Sequence, residues 1–274
     1  MKNIFPVIVL YKCGLSESRT YQSLISNAVD LAFFMVYDNS PKTFAQNTDD
    51  LPKNCLYVRD INNNGLSIAY NHAAKKAREL GFSYLLLLDQ DTLFPADAWK
   101  KYNENISFKG VIAPMMNTNI GLPFSPTDVN RLVSKAVRIA PGDYSLYHYN
   151  VANSGICVPL DLFEQVEGYD LNVFLDYSDN QFLRRVRKKC DKLRILDITA
   201  TQDFSGDCKN VSNLVARFDL YLLSARQFKL EGFKDSVGHY LVVFKHAVAL
   251  FIRTHNAIFI SKFFKIFLLF KIFH

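Results

Sequence analysis

Four leucines run directly into a polar triplet in the stretch Tyr84-Leu85-Leu86-Leu87-Leu88-Asp89-Gln90-Asp91. A short, continuous apolar run of this kind is typical of a strand that is buried on both faces of a parallel sheet. In such sheets, ligands bind beyond the carboxyl ends of the strands. We therefore expect Asp89, Gln90 and Asp91 to lie at the sheet edge that forms the binding site.

Strand and helix patterns alternate around this run. Short apolar runs predict further strands at 6–11, 31–37, 55–58, 111–114 and 153–158. Apolar residues at helical spacing predict helices over 16–31, 67–80, 160–166 and 179–189, and a polar, Pro-rich segment predicts a loop over 117–130. The alternation is typical of an α/β protein with a mostly parallel, Rossmann-like central sheet flanked by helices.

Composition limits the classes of function. The 274 residues are 49% hydrophobic and 21% charged, which indicates a folded chain with a substantial core. The net charge of +6 suits nucleic acid, anionic lipid surfaces and phosphorylated small molecules alike. The sequence has no zinc-finger spacing and no RNA-binding aromatic signature, so we expect no nucleic acid as a partner. Five scattered cysteines without a CxxC pair, and a start without a signal peptide, predict a cytoplasmic protein with reduced thiols.

Asp89 and Asp91 form the first candidate site. Two carboxylates at the end of a buried strand are able to meet at one divalent cation and at the ribose of a nucleotide. Mg²⁺ and Mn²⁺ prefer such oxygen ligands. The alternative is that both aspartates cap the strand and begin a turn.

Two other polar clusters are candidates. The stretch Asp38-Asn39-Ser40-Pro41 consists of turn-forming residues and, taken alone, predicts a turn. In the stretch Asp176-Tyr177-Ser178-Asp179, a carboxylate is available as a general base for a sugar hydroxyl. The alternative is that Asp179 caps the basic helix that follows.

Six motifs follow one another along the chain. They are Val7-Ile8-Val9-Leu10-Tyr11, Val36-Tyr37-Asp38-Asn39-Ser40, Asn64-Gly65-x5-Asn71, Leu86-Leu87-Leu88-Asp89-Gln90-Asp91-Thr92, Asn153-Ser154-Gly155 and Asp176-Tyr177-Ser178-Asp179. In this order they resemble the family 2 glycosyltransferases, over residues 4–205. The Asp-Gln-Asp-Thr and Asp-Tyr-x-Asp forms are similar to the rhamnosyltransferase-like branch of bacterial polysaccharide synthesis. The resemblance implies a GT-A-type fold, which we place in a domain over 1–235.

The resemblance also implies roles for individual residues. Asp179 matches the catalytic base, with Asp176 as the second candidate. Contacts to the donor nucleotide sugar are implied for Tyr11, Asp38, Asn39, Gly65, Asn71, Asp89 and Gln90. Contacts to the acceptor are implied for Asn153, Ser154 and Gly155. Binding of Mg²⁺ or Mn²⁺ is implied for Asp91 together with Asp89.

One position departs from the family pattern. Family members often carry a His, which binds metal or diphosphate, near Thr201-Gln202-Asp203-Phe204-Ser205, and Gln202 stands at the matching position. An amide binds a divalent cation less well than an imidazole, so we expect Asp203 to substitute as the third metal ligand.

The implied activity is inverting transfer of a sugar from a nucleoside-diphosphate donor to a lipid-linked saccharide, as in O-antigen or capsule synthesis. L-rhamnose from dTDP-rhamnose is the donor that the branch suggests. A UDP-sugar donor carrying galactofuranose, galactose or glucose is an alternative. Another is a non-catalytic glycan-binding subunit of a membrane synthesis complex, which Gln202 keeps open.

The segment 236–274 is both apolar and basic. Its cationic residues include Lys245, Arg253, Lys262, Lys265 and Lys271, and no acidic residue follows Asp235. No uninterrupted apolar stretch approaches the roughly 20 residues that span a bilayer. We expect a helical segment lying on the anionic, cytoplasmic surface of the cell membrane, which makes the protein peripheral. The alternative is that the tail packs on the catalytic domain or on a second subunit in a homodimer.

Overall fold

A mixed sheet forms the centre of the protein, in a computed structural model that describes residues 3–44, 47–203 and 210–268. The strands are β1 Ile4–Leu10, β2 Phe34–Asp38, β3 Cys55–Arg59, β4 Tyr84–Asp89, β5 Thr92–Leu93, β6 Val111–Thr118, β7 Pro123–Ser125, β8 Thr127–Asp128, β9 Lys135–Ala136, β10 Gly142–Ser145, β11 Tyr149–Asn150, β12 Cys157–Pro159 and β13 Lys192–Gln202. The helices are α1 Leu66–Glu79, α2 Ala98–Glu104, α3 Leu160–Gln165, α4 Ser178–Arg187, α5 Val211–Gln227, α6 Phe233–Thr254 and α7 Ile258–Lys262.

The strand order in the large sheet is β10-β13-β6-β12-β4-β1-β2-β3, with β5 and β7 paired at its side. The strands β3, β2, β1 and β4 run parallel to one another, and so do β6 and β13. β12 is antiparallel to both of its neighbours, β4 and β6. The α/β class with a mostly parallel central sheet and flanking helices is therefore confirmed. A separate small sheet joins β11, β8 and β9.

The leucine run of β4 lies at the centre of the core. Leu85 and Leu87 face one layer of helices, and Leu86 and Leu88 face the other, because successive side chains of a strand point to opposite faces. On the first face, α1 packs closely through small side chains, namely Ala69, Ala73 and Ala77. Burial on both sides explains why the strand reads as a continuous apolar run.

Strand register brings the ends of three strands together. Val9 of β1 pairs with Asp89 of β4, and Leu10 of β1 pairs with Asp38 of β2. The polar residues that follow these strands therefore share one edge of the sheet, as the parallel arrangement requires.

Several elements differ from the sequence-based expectation. The segment expected as a helix over 16–31 forms only a 3-10 turn at Leu15–Glu17 and a π-helical turn at Tyr21–Ile25. The strand expected from residue 153 begins at Cys157, because Gly155 has a φ of +90° and turns the chain. The segment expected as a loop over 117–130 contains β7 and β8. The longest strand, β13, was not predicted.

The C-terminal helices form their own hydrophobic cluster. Side chains of α5, α6, α7 and a final π-helical turn, Phe263–Leu268, meet in it, including Phe218, Leu222, Val243, Ala247 and Phe259. α6 crosses the domain boundary expected at 235/236 and is the one helix among the described residues that is long and apolar enough to span a membrane, contrary to the expectation. The helix meets this criterion by its length and composition only. Lys271 lies outside the described residues.

Candidate functional site

The loop after β4 ties the strand ends together through Gln90. Its Oε1 accepts a hydrogen bond from the backbone N–H of Tyr11 at 2.7 Å, and its Nε2 donates to the carbonyl oxygen of Tyr11 at 3.3 Å. The Tyr11 ring itself is 46% exposed beside the cleft. Gln90 therefore positions the end of β1, and the ring of Tyr11 stays available to a ligand.

Asp38 lies beneath the surface of the cleft. Its Oδ1 accepts from the backbone N–H of Ser40 at 2.8 Å, and its Oδ2 accepts from the hydroxyl of Tyr57 at 2.7 Å. The side chain is fully buried, so the expected direct contact to a nucleobase is corrected to a role in holding the turn. The neighbouring Asn39 is also buried, and its Oδ1 has no hydrogen-bond partner among the described residues.

Asp89 and Asp91 share one partner. The Nε2 of Gln202, at the end of β13, donates to Asp89 Oδ2 at 3.1 Å and to Asp91 Oδ1 at 2.9 Å. The buried Tyr70 hydroxyl donates to the other oxygen of Asp89 at 3.1 Å. The amide thus stands between two carboxylates that repel each other, in the position where a positive charge would be most stabilised.

Asn153, Ser154 and Gly155 support this loop from below. Ser154 Oγ accepts from the backbone N–H of Asp89 at 3.1 Å and pairs with Thr92 Oγ1 at 2.7 Å. A Cβ on Gly155 would lie 2.7 Å from Pro114, so only glycine fits. All three residues are buried, which corrects the expectation that they contact an acceptor. Asn153 also forms a buried hydrogen bond, in which its Oδ1 accepts from the Tyr169 hydroxyl at 2.6 Å.

The two candidate bases have different surroundings. Asp176 forms a two-pronged ion pair with Arg217 of α5, in which Nη2 lies 2.7 Å from Oδ1. Asp179, in the first turn of α4, accepts only from its neighbour Asn180, at 2.7 Å from the backbone N–H and 3.2 Å from Nδ2. Asp176 therefore has a cationic partner, whereas Asp179 has none among the described residues that would lower its basicity.

The negative charge of Asp179 acts on Asp89. Burial raises the pKa of Asp89, and the negative charge of Asp179 raises it further. Burial also raises the pKa of Asp91 to about 6, and the charge of Asp89 adds to this rise. Asp179 therefore lies near Asp89, and Asp89 shares Gln202 with Asp91, although Asp179 is distant from both along the chain.

The pH dependence of activity should report on Asp179. Burial raises its pKa to about 6, and the charge of Asp176 contributes in the same direction. A general base must be ionised, so kcat/KM should fall about tenfold per pH unit below about pH 6. The measurement is a pH–rate profile, with circular dichroism at each pH to show that the protein stays folded. A flat profile down to pH 5 would contradict the assignment.

Gly65 and Asn71 hold the start of α1 and the loop that covers it. Gly65 has a φ of +94°, and a Cβ there would lie 2.5 Å from the carbonyl oxygen of Phe174. Asn71 Nδ2 donates to the carbonyl oxygen of Tyr169 at 2.9 Å, and its Oδ1 accepts from the Tyr169 N–H at 2.7 Å. Both ends of the Asn71 amide are thus occupied, which corrects its expected contact to the donor.

Asp89 and Asp91 supply the carboxylate oxygens that a hard divalent cation prefers, and Gln202 Nε2 donates to both of them. Among the described residues, no group of three His, Cys, Asp or Glu side chains could hold a metal ion. Asp203, the expected third ligand, instead forms an ion pair with Arg19 at 2.6 Å, which corrects that expectation. Phe204 and Ser205 lie outside the described residues. One or two carboxylates with substrate phosphates are the usual holders of Mg²⁺.

Sequence reasoning missed Tyr70, Asn180 and the bridging role of Gln202. Tyr70 lies on α1 in an apolar pattern, so nothing in its position indicates a contact to Asp89. Asn180 follows Asp179 directly, and this adjacency is the one available signal. Gln202 was noted as a departure from a family pattern, but only the unpredicted β13 carries it to the cleft.

Comparison with known protein families gives one match, to part of the chain. Residues 7–122 match the family described as Glycosyl transferase family 2. No curated protein sequence matches the chain at a significant level.

The fold is similar to that of several solved structures. GalNAc-T7 with UDP, GalNAc and Mn²⁺ has a TM-score of 0.59 and 13% identity, over 90% of this chain and 51% of that one. S. aureus TarS has a TM-score of 0.54 and 12% identity, over 89% and 43%. S. aureus TarS 1-349 in complex with UDP has a TM-score of 0.51 and 14% identity, over 96% and 72%. The chain spans about half the length of the first two, and identities this low show the fold alone.

Proposed function

We propose that this protein, whose residues 7–122 match the family 2 glycosyltransferase model, is a glycosyltransferase that transfers a sugar from a nucleoside-diphosphate donor to an acceptor hydroxyl by a single displacement. The observation that supports this most directly is the juxtaposition of Asp179 with the Asp89 and Asp91 pair. Asp179 is a carboxylate without a cationic partner among the described residues, at a cleft that also collects groups suited to a diphosphate. A base and a leaving-group site in one cleft are the two requirements of glycosyl transfer.

The mechanism follows from these positions. Asp179 removes the proton of the acceptor hydroxyl while that oxygen attacks the anomeric carbon. The donor's diphosphate leaves on the opposite face, so the anomeric configuration inverts and no covalent sugar–enzyme intermediate forms. Burial favours proton uptake, because a raised pKa makes the carboxylate a stronger base while it stays largely ionised at neutral pH.

Asp91 and Asp89 would hold Mg²⁺ or Mn²⁺ in this proposal. A bound divalent cation supplies charge stabilisation for a departing diphosphate. The GalNAc-T7 structure contains Mn²⁺ together with UDP, which supports the same assignment here. For its part, Gln202 keeps the two carboxylates together by donating to both.

The donor and acceptor follow from the sequence motifs. The Asp-Gln-Asp-Thr and Asp-Tyr-x-Asp forms favour L-rhamnose from dTDP-rhamnose, and a lipid-linked saccharide as the acceptor. The TarS structures with UDP and with UDP-GlcNAc make UDP-sugars the alternative donors.

A screen of donors tests the function. Purified protein with Mn²⁺ should release a nucleoside diphosphate from dTDP-rhamnose, and more slowly or not at all from the UDP-linked sugars. Release from a UDP-sugar alone would keep the glycosyltransferase assignment and replace the donor. Absence of release from every donor, while the protein binds UDP or dTDP, would instead support a non-catalytic glycan-binding subunit.

We also propose that α6 binds the cytoplasmic surface of the membrane. The helix exposes an apolar stripe formed by Leu241, Phe244, Phe251 and Ile252. These residues fall on one face at helical spacing, opposite the side that packs on α5. Lys245 and Arg253 lie on the same helix and would contact anionic headgroups.

Vesicle binding tests the membrane proposal. The protein should sediment with vesicles that contain phosphatidylglycerol, and less with pure phosphatidylcholine. Replacing Phe251 with Glu should weaken binding by about tenfold or more, because burying a Phe contributes roughly 1.5–3 kcal/mol. Ile120→Glu is the matched control, since Ile120 is 75% exposed in a turn between β6 and β7. If Phe251→Glu leaves vesicle binding unchanged but converts a dimer to a monomer, the stripe belongs to a homodimer.

A further inference from the structure

A cavity lies beside Tyr177 and Asn180, the residues on either side of Ser178 and Asp179 at the start of α4. It encloses about 260 Å³ between the small sheet, α4 and α6. This volume is slightly below the roughly 300–1,000 Å³ of sites for drug-sized ligands, so it suits one sugar ring with part of a neighbour. None of the expected acceptor residues lines this cavity, because Asn153, Ser154 and Gly155 are buried under the Asp89 loop.

Asn180 connects this cavity to the base. It lines the cavity, and its Nδ2 donates to Asp179 Oδ1 at 3.2 Å. On the other side, its Oδ1 accepts a hydrogen bond from Asn150 Nδ2 of β11, which also lines the cavity. A ligand that contacts the two asparagines would therefore touch a side chain that is hydrogen-bonded to Asp179.

The charges around the cavity are balanced. Arg184 forms a two-pronged ion pair with Asp235 at 2.6 Å, and Arg187 lies 2.6 Å from Glu231. The remaining guanidinium, that of Arg131, lies 3.3 Å from Asp128. Because each of these guanidinium groups already has a carboxylate partner, none of the three is left unpaired for a phosphate or an acidic sugar.

The cavity also offers the two kinds of contact that a sugar ring uses. Tyr147 is 51% exposed at its wall, with the Arg187 guanidinium 5.3 Å from the ring centre. An exposed aromatic ring packs against the C–H face of a sugar, while guanidinium and carboxylate groups form hydrogen bonds with its hydroxyls. Arg187 Nε is buried without a hydrogen-bond partner in the described part of the chain, so a donor is left for such a hydroxyl.

We infer that this cavity is the acceptor subsite and takes an uncharged sugar, whose attacking hydroxyl is delivered to Asp179 across Asn180. The inference rests on the proposed glycosyl transfer and names its acceptor class. It also gives α6 a part in recognition, because Gly238 and Val242 of that helix line the cavity. The acceptor is then bound by the C-terminal helices and the catalytic domain together.

Ligand binding tests the inference separately from activity. The probes are p-nitrophenyl glycosides of uncharged hexoses and 6-deoxyhexoses, with p-nitrophenyl glucuronide as the acidic counterpart. Wild-type protein should give saturation-transfer NMR signals with at least one uncharged glycoside. Ser134→Trp, which fills the cavity mouth from an exposed position, should abolish them. Ser26→Trp, at an exposed serine outside the cavity, should leave the signals unchanged.

Kinetics provide the second readout. Tyr147→Ala should raise the acceptor KM about tenfold, whereas Ser26→Trp, outside the cavity, should leave the acceptor KM unchanged. Failure of all glycosides to bind wild type, a stronger signal from the glucuronide, or equal binding by Ser134→Trp would overturn the inference. Absence of donor hydrolysis in wild type would instead contradict the proposed function, since glycoside binding is measured without a donor.

Discussion

The Asp179→Asn variant should lose glycosyl transfer by about 10²–10⁴-fold in kcat, the usual contribution of a general base. Asparagine keeps the size and the hydrogen bonds to Asn180 but cannot take the acceptor proton. The KM for the donor should change little, because Asp179 faces the acceptor side in the proposed mechanism. Initial rates of nucleoside diphosphate release, at saturating donor and acceptor, measure the loss.

The same variant should be more stable than the wild type at neutral pH. Burial raises the pKa of Asp179 from 3.8 to about 6, so the folded protein carries an unfavourable charge above pH 6. At 1.36 kcal/mol per pKa unit, removing it should add roughly 2–3 kcal/mol to the free energy of unfolding. The gain should disappear below about pH 4, where the carboxyl group is protonated in both states. Thermal unfolding at pH 7.5 and pH 4 measures it.

Asp176→Asn is the matched control for both measurements. It breaks the ion pair with Arg217 and should therefore lower stability, while it leaves the proton acceptor in place. We expect it to retain transfer within about tenfold of wild type. An inactive Asp176→Asn beside an active Asp179→Asn would reverse the assignment of the base.

The Asp91→Asn variant should lose transfer by a similar factor, for a different reason. Neutralising this carboxylate weakens the hold on a divalent cation, which contributes several kcal/mol to stabilising a departing diphosphate, and each 1.36 kcal/mol is a factor of ten in rate. EDTA should inactivate the wild type equally, and added Mn²⁺ should restore it. Isothermal titration with Mn²⁺ and nucleoside diphosphate should show the binding lost in the variant.

Asp203→Asn tests whether Asp203 binds the metal ion or only adds negative charge near Asp91. Asp203 is near Asp91 but is paired with Arg19, so its replacement should change the rate and the Mn²⁺ affinity only slightly. Full activity of the wild type in EDTA, together with an active Asp91→Asn, would show that transfer proceeds without a divalent cation.

The strands at the centre of the sheet could be predicted because a strand that is buried on both faces has a continuous apolar sequence. The leucines of β4 are buried on both faces and form one apolar run. β13 could not be found in this way, because exposed residues such as Asp197 interrupt it and its pairing with β6 shifts register between Ile195 and Thr199. The turn at Asn153-Ser154-Gly155 was hidden for a related reason. Its residues are as buried as those of a strand, and only the positive φ of Gly155 reveals it.

The acidic residues of the site were predicted better than their roles. Asp89 and Asp91 share Gln202 at the edge where the parallel strands end, and the negative charge of Asp179 acts on Asp89. Asp38 belongs to the same edge, yet Tyr57 of the neighbouring β3 covers it. Sequence order gives the strand on which a residue lies but not the residue with which it forms hydrogen bonds. Asp176 and Asp179 likewise differ in their surroundings because Asp176 pairs with Arg217, which is distant along the chain.

The C-terminal helices are attached to the segment that carries Asp179, and this affects which shortened forms of the protein would be active. Arg217 of α5 holds Asp176, and Asp235 of α6 holds Arg184, so both ends of the segment that carries Asp179 are anchored outside the region that matches the sequence family. A protein shortened after residue 235 would keep all six motifs. It would also remove most of α6, against which α5 packs, and the base would lose its alignment. Recombinant versions intended for enzymology therefore need the helices, even where detergent must be added to keep them in solution.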